Sequence, residues 1–385
     1  MARSTASRSS DAPAARDASL DMPRLRRAAW AYTTRRVGPH VVGLTAEEHA
    51  PRAGDLVLAR VDAIGHHSGL QLADGRRRTL FVGDEIVVVY GNRYAPNQFE
   101  AVVPKTLGPC QLVAAGGMAA KALSWHSSIT KQATRITPLG LLAGPAGMPI
   151  NLRDHALPSR DALPETLPPA IAVVGTAMDS GKTQTCGYLV RGLATAGLKV
   201  GYAKITGTGA AGDPWFLRDA GADPVLDFTD AGLVSTYLVA PREVERSVMT
   251  LVGHLVESNV EAIVFEVADG VLQTETALLL ASEVFKSVVT GVLFAASDAM
   301  GAMAGARSVR ELGLPLLALS GVLTASPLQQ REAEKATGLL VYSRQDLARE
   351  VTARRILEFA KRVPADAVDG AARSEEALTA EMSVA

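Results

Sequence analysis

Cysteine is almost missing from this 385-residue chain: Cys110 and Cys186 stand far apart, with no metal-like spacing. That excludes a disulfide framework and makes a reducing cytoplasm the expected setting. Net charge is scarce as well, −1 over the whole chain. A chain so balanced has no general attraction for nucleic acid or an anionic membrane, and neither is expected as a partner. Long apolar runs are lacking; the longest, near residues 277–281 and 314–323, are far too short to span a bilayer. No apolar h-region follows the start of the chain. Residues 1–36 hold eight Arg against three Asp, a local charge of 8 − 3 = +5, and the interspersed aspartates argue against a transit peptide. A solvated, disordered basic arm over residues 1–40 is the expectation.

Core-forming material is plentiful. Hydrophobic residues make up 48% of the chain, and 385 residues exceed what one core normally holds, so two domains are expected. From Gly54 onward short alternating strands follow one another. Asp74-Gly75 reads as a hairpin turn, because both positions must accept positive φ. The run Asp84-Glu-Ile-Val-Val-Val-Tyr90 leads into Asn92-Arg93-Tyr94-Ala95, a polar and aromatic loop of the kind on which a sheet presents binding groups. This pattern predicts a small β-barrel-like domain over 41–105. His66 and His67 read as turn histidines, since adjacent strand residues face opposite sides and no acid cluster accompanies them. Residues 106–168, dotted with glycine and proline, read as a connector long enough for part of it to pack on a domain or reach the active site. The small, acidic stretch 365–385 reads as a disordered tail.

Residues 169–364 alternate apolar strands with helical patterns, which predicts an α/β domain with a doubly wound, mostly parallel sheet. The expected strands are 171–174, 200–205, 262–267, 288–294 and 316–320, and the expected helices 182–196, 242–258, 275–285 and 299–312. Cys186 falls in the first of these helices, where a buried structural thiol is expected. Ligands in such sheets sit beyond the carboxyl ends of the strands, so the polar residues there carry the chemistry.

The first strand runs into Gly175-Thr176-Ala-Met-Asp179-Ser180-Gly181-Lys182-Thr183-Gln184. Strand, glycine-framed loop, lysine and hydroxyl, then helix is the layout of a phosphate-binding P-loop. Backbone N–H groups and the helix N-terminus face the phosphates, Lys182 supplies a point charge, and the Thr183 hydroxyl suits magnesium. Five residues, not the usual four, separate Gly175 from Gly181. On the same rim lies Lys204, followed by Thr206-Gly207-Thr208-Gly209 and Asp213. Lys204 suits the transferring group, Asp213 a magnesium ion, and the glycine–threonine loop an anionic substrate through unobstructed amides. Asp227 and Asp230 read as caps or as ligands of a substrate cation or second metal. Glu266 ends an apolar strand, where a carboxylate is costly to bury without a cation and where a magnesium-positioning acid sits. Asp269 follows as a second ligand or a water-positioning base. The loop 320–327 reads as a contact for the nucleotide base or as an ordinary helix start.

The loop 175–183 resembles the Gly-Thr-x-x-x-x-Gly-Lys-Thr motif of dethiobiotin synthetase, within a larger group of dimeric P-loop ATPases that also holds metallochaperone and cobalamin-pathway enzymes. The acid of that family's loop falls on Asp179, its second active-site lysine on Lys204 (204 − 182 = 22), its magnesium glutamate on Glu266 and its loop aspartate on Asp213. The resemblance covers residues 170–340 and implies ATP and Mg2+ as cofactors and a homodimer. Met178 and the Ala-Asp-Gly after Glu266 depart from the family, and the amino-terminal β-domain lies outside it. The loop is also similar to that of uncharacterised P-loop proteins, some of them linked to amino-acid N-acylation.

The function expected is an Mg·ATP-dependent enzyme, kinase or ligase, that phosphorylates or activates a small anionic metabolite. Lys182, Lys204, Asp179 and Asp269 are the expected catalytic groups; Gly175, Thr176, Asp179, Ser180, Gly181, Lys182, Thr183 and Gln184 hold the nucleotide; Thr183, Asp213 and Glu266 hold the metal. Thr206, Gly207, Thr208 and Gly209 are the expected substrate contacts. The alternative is an ATP-driven switch, assembly factor or metallochaperone-like ATPase, with the β-domain binding a protein partner.

Overall fold

The computed structural model describes residues 21–37, 41–45 and 49–362. The expected tail, and most of the expected arm, lie outside these residues. Residues 21–37 do not match the expected arm: they form helix α1 (Asp21–Arg27), strand β1 (Ala29–Trp30) and a 3-10 turn at Tyr32–Thr34. Tyr32, Thr33 and Thr34 are buried. Apolar and aromatic side chains among the arginines dock this segment, which its net charge alone does not reveal.

Among the described residues the amino-terminal region has ten strands, eight in one sheet and two in a separate hairpin. After β1 come β2 (Gly43–Leu44), β3 (Leu56–Ala63), the hairpin β4 (Gly69–Gln71) and β5 (Arg77–Thr79), and β6 (Glu85–Tyr90). Then follow β7 (Phe99–Val102), β8 (Cys110–Ala114), β9 (Met118–Trp125) and β10 (Thr134–Ala143). The hairpin turns at Asp74-Gly75 as expected, but only Gly75, at φ 83°, takes the positive φ expected of both positions. The sheet path runs β1-β6-β3-β10-β8-β9-β7, and β6 also pairs with β9. That second pairing closes β6, β3, β10, β8 and β9 into a small barrel. Alternation divides its core: Val57, Ala59 and Val61 feed one apolar cluster, Leu56 and Leu58 another.

Strands β8, β9 and β10 lie within 106–168, so this stretch supplies part of the barrel wall where a connector was expected. Gly116-Gly117 makes the tight β8–β9 turn, and Pro138 sits at a register shift in β10. Bulges tolerate proline and glycine, which otherwise read as strand breakers.

The second sheet holds β11 (Ala170–Gly175), β12 (Val200–Thr206), β13 (Val225–Asp227), β14 (Ala262–Val267), β15 (Gly291–Ala295) and β16 (Leu316–Ser320). Its order is β13-β12-β14-β11-β15-β16, and every pairing is parallel. The helices are α2 (Lys182–Thr195), α3 (Gly212–Ala220), α4 (Pro241–Glu257), α5 (Thr274–Ala281), α6 (Glu283–Val288), α7 (Ala299–Glu311), α8 (Pro327–Thr337), α9 (Arg344–Leu347) and α10 (Glu350–Arg362). Ala170, Ala172 and Val174 of β11 pack toward α4–α8, while Ile171 and Val173 pack toward α2, α3, α9 and α10. Burial on both faces explains the unbroken apolar run. Cys186 and Cys110 are both buried free thiols.

One expected helix, 275–285, is two. Ser282 is extended at ψ 148° and its side chain accepts from the Phe285 N–H, capping α6 and ending α5. Among the described residues no helix is long and apolar enough to cross a membrane.

Candidate functional site

The loop between β11 and α2 is built for close approach. Gly181 sits at φ 97°, and a Cβ there would lie 3.0 Å from Gly321 Cα. A Cβ on Gly175 would come within 2.5 Å of Ser180 Oγ and 3.1 Å of Lys182 Cγ. Asp179 holds the left-handed region at φ 63°, where a short polar side chain is tolerated. Lys182 Nζ donates to the Ala177 carbonyl at 2.7 Å, curling back along its own loop. Burial pulls the Lys182 pKa down, with Glu266 and Asp269 opposing.

Strand β14 lies directly beside β11, where a magnesium-positioning acid is expected, and Lys204 of β12 stands in register with Glu266. Glu266 is 2% exposed and fully engaged. Its Oε1 accepts from the Thr183 hydroxyl at 2.9 Å, and its Oε2 from the Tyr202 hydroxyl at 2.8 Å. Lys204 Nζ lies 3.3 Å from Glu266 and donates to Asp213, in the first turn of α3. Burial works against charge on Lys204, but the Asp213 and Glu266 carboxylates outweigh it and hold its pKa above the ordinary value. Thr183, Lys204, Asp213 and Glu266, distant in sequence, thus meet at one point. Tyr202 belongs with them and was missed. Its position two before Lys204 on a strand places both on one face, a signal readable from the sequence.

Asp269 follows β14 at φ 63°. Burial pushes its carboxyl up to about 6, while Lys182, Lys204 and Arg93 pull it back. The last of these comes from the other sheet.

A cavity of about 550 Å³ joins the two sheets. On the P-loop side Met178, Asp179, Gly181, Lys182, Thr183, Gln184, Lys204, Asp213, Glu266 and Asp269 line it. The barrel supplies His67, Gln71, Arg93, Tyr94, Gln98 and the 114–116 turn. Asn97 Nδ2 donates to Asp179 Oδ2 at 2.6 Å, and Gln71 Oε1 accepts from the Ala211 N–H at 2.8 Å. The barrel therefore forms the second wall of the site. Of its wall residues the sequence singled out only the Asn92–Ala95 loop and the His66-His67 pair. His67 is neutral at physiological pH, burial and the Arg93 charge pushing it down to about 3.

Several expected groups are otherwise employed. Gly207 N–H donates to Thr236 Oγ1 at 2.9 Å, Gly209 N–H to Val234 O at 3.0 Å, and Thr206 Oγ1 to Ala268 O at 3.2 Å. The amides expected to be open for substrate are tied to the 234–236 segment, though Gly207 and Thr208 still line the cavity. Gly175, Thr176 and Ser180 shape the loop without lining the cavity. Asp227 and Asp230 serve Arg35, at 3.2 and 2.6 Å, and Tyr32. Their place as ligands of a substrate cation is taken by the chain's own arginine. Ser326 caps α8, and of the 320–327 loop Val322 lines the cavity.

Among the described residues no group of three or more His, Cys, Asp or Glu is arranged for a metal ion. The donor set of Thr183 hydroxyl and Glu266 carboxylate, 2.9 Å apart, fits an ion that takes one or two protein ligands and completes its shell with phosphate and water, as magnesium does.

Strand order, the glycine-framed loop and the acid on the neighbouring strand define the class: a doubly wound, parallel P-loop NTPase sheet preceded by a β-barrel-like domain. No family model matches the chain, and no curated protein does. Solved structures overlap about half of it. The signal recognition particle receptor FtsY from Elizabethkingia anophelis is 17% identical, over 52% of this chain and 68% of its own, with a TM-score of 0.34. Signal recognition particle 54 kDa protein from Aeropyrum pernix, in complex with GDP, is 20% identical over 57% and 50%, TM-score 0.33. The kinase domain of the Escherichia coli tyrosine kinase ETK is 15% identical over 40% and 68%, TM-score 0.31. These likenesses do not carry the narrower resemblance to dethiobiotin synthetase.

Proposed function

We propose that this chain is an Mg·ATP-dependent enzyme that transfers a phosphoryl group to a small anionic metabolite, as a kinase or as the activating step of a ligase. The observation that supports it is the convergence of Lys182, Thr183, Lys204, Asp213 and Glu266 at the floor of a cavity roofed by the barrel. Lys182 and the loop amides hold the β- and γ-phosphates; Thr183 and Glu266 hold magnesium, with Asp213 close by on Lys204. The metal supplies charge neutralisation on the phosphates. Lys204, kept protonated by its two carboxylates, stabilises charge on the group in transfer. Asp179 or Asp269 orients the acceptor. The bond from γ-phosphorus to the bridging oxygen breaks and ADP leaves with that oxygen, while the acceptor oxygen bonds to phosphorus; a hydroxyl acceptor gives its proton to Asp269, and a carboxylate acceptor has none to give.

A roofed site suits chemistry that must exclude water better than a switch that must open to a protein, which favours the enzyme over the assembly factor. A homodimer and a cytoplasmic location complete the proposal. The test is ADP release with Mg·ATP and fractionated metabolites, followed with product mass. Lys182→Ala should lower turnover by about a hundredfold or more, the scale of losing one transition-state donor. An unchanged rate would sink the proposal.

A further inference from the structure

Arg93 is a buried cation on which Asp269 acts only from a distance, with no carboxylate in salt-bridge contact among the described residues. It is 5% exposed, lines the cavity, and its Nε has no hydrogen-bond partner. Its Nη1 donates to the Val113 carbonyl and lies 3.2 Å from the His67 ring nitrogen, and its Nη2 donates to Gln98 Oε1 at 2.7 Å, all neutral partners. The backbone is pinned: Arg93 N–H donates to Ala101 O at 2.8 Å and Ala101 N–H to Arg93 O at 3.0 Å. Burial pulls its pKa down to about 10, with Asp269 as the one charge opposing, so it stays protonated at neutral pH. A buried charge left unpaired is costly, which makes a cation in a cavity wall a place for an anionic ligand.

Five N–H groups make up a guanidinium, and two are committed to Val113 and Gln98. The Nε N–H is buried and closed to the cavity, so the Nη N–H groups not taken by Val113 and Gln98 are those that can meet an anion, in a charge-assisted hydrogen bond. The phosphate end of the cavity has cations and amides of its own on the opposite sheet. A single cation flanked by His67, Tyr94 and Gln98 suits a singly charged group better than a phosphate dianion, which calls for more donors.

We infer that Arg93 anchors a carboxylate of the acceptor substrate, making the acceptor a small organic acid held between the barrel wall and the P-loop. This rests on the phosphoryl-transfer reading and narrows its substrate class. The acid is fixed by the barrel, and its reacting atom faces Lys204. The barrel thereby becomes the specificity element of the enzyme.

The test uses the full chain and calorimetric titration. Binding of Mg·AMPPNP is measured first. Malonate, succinate and glutarate, their diamides, and inorganic phosphate are then titrated with and without the nucleotide analogue. At least one acid should bind about tenfold or more tightly than its diamide, the scale of a charge-assisted hydrogen bond. Arg93→Gln should weaken that acid by a similar factor and leave Mg·AMPPNP affinity within about twofold. Gln98→Glu keeps Arg93 but sets a carboxylate against its Nη2, and should weaken the acid likewise; it serves if Arg93→Gln does not fold. Equal binding of acids and diamides, acid binding untouched in either variant, or tighter binding of phosphate than of every acid each overturns the assignment. Failure of the native protein to bind Mg·AMPPNP overturns the nucleotide reading alone, because the titrations without nucleotide still test Arg93.

Discussion

Asn97 Nδ2 donates to Asp179 Oδ2 at 2.6 Å, tying the rim of the barrel to the tip of the phosphate-binding loop. Asp179 is held at φ 63°, so this contact fixes a residue already confined to the left-handed region. Asn97→Asp replaces the donor by a like charge. For the Mg·ATP reaction proposed above, the expected result is a several-fold rise in KM for the nucleotide, on the scale of about 1 kcal/mol for one lost hydrogen bond. The melting temperature should stay within about 2 °C, since the pair is exposed. A KM equal to the native value in this variant removes the bridge from the binding apparatus.

Glu266 receives both the Thr183 and the Tyr202 hydroxyls and faces Lys204. Glu266→Gln keeps the shape and removes the charge. Turnover is expected to fall by about a hundredfold, as for other preorganised groups that act on transition-state charge. The magnesium concentration for half-maximal rate should rise, while ADP binding measured without metal stays near native. Equal magnesium dependence in the two proteins would remove Glu266 from the metal site and leave it a structural acceptor.

Asp269 gives a pH signature in the free protein. Its pKa is raised to about 6 by burial, above the ordinary carboxylate value near 3.9. The folded state therefore binds this proton more tightly than the unfolded chain. Ionisation costs stability fully above about pH 6, and the cost is relieved as pH falls from about 6 to about 4. Asp269→Asn tolerates the left-handed backbone and cannot ionise. It should stabilise the protein by about 1–3 kcal/mol at pH 7.5 and by little at pH 4, read by urea denaturation at both values. An equal effect at the two pH values would show that the carboxyl is not perturbed.

The P-loop wall of the site was legible because its signals are local. An apolar run ending in Gly-Lys-Thr, a strand ending in Glu266 and a lysine at the end of β12 each state their chemistry within a few residues. The barrel wall was harder to read. Strands β8–β10 are punctuated by Gly116 and Gly117 in the β8–β9 turn and by Pro138 at a shift in β10, which read as breakers, and the strands become a wall only when β6 closes on β9. The role proposed for Arg93 depends on that closure, since nothing near it in sequence says which cavity it will face. The 206–209 loop shows the converse. Its glycines were visible, but the 234–236 segment that occupies their amides lies more than twenty residues away and becomes a neighbour only in the fold.

Residues 21–37 make the longest-range of these contacts, and they can be tested by stability. The Tyr32 hydroxyl donates to Asp227 at 2.7 Å, and Arg35 reaches Asp227 at 3.2 Å and Asp230 at 2.6 Å. Arg35 also stacks 4.2 Å from the Tyr32 ring centroid. Asp227 and Asp230 are 2% and 4% exposed, and Arg35 is the cation that reaches both, with Arg36 3.6 Å from Asp230. Arg35→Ala should cost about 3–5 kcal/mol, because removing one partner strands buried charge. Tyr32→Phe removes one hydrogen bond to a charged group and should cost about 1.5–3 kcal/mol. The double variant Arg35→Ala, Asp230→Asn is expected to be more stable than Arg35→Ala alone, since neutralising one carboxylate relieves part of the stranded charge. Chemical denaturation of the three variants measures each value. If Arg35→Ala costs less than about 1 kcal/mol, the segment is not the clasp between barrel and NTPase sheet, and the buried aspartates are held by their own Thr229 and backbone contacts.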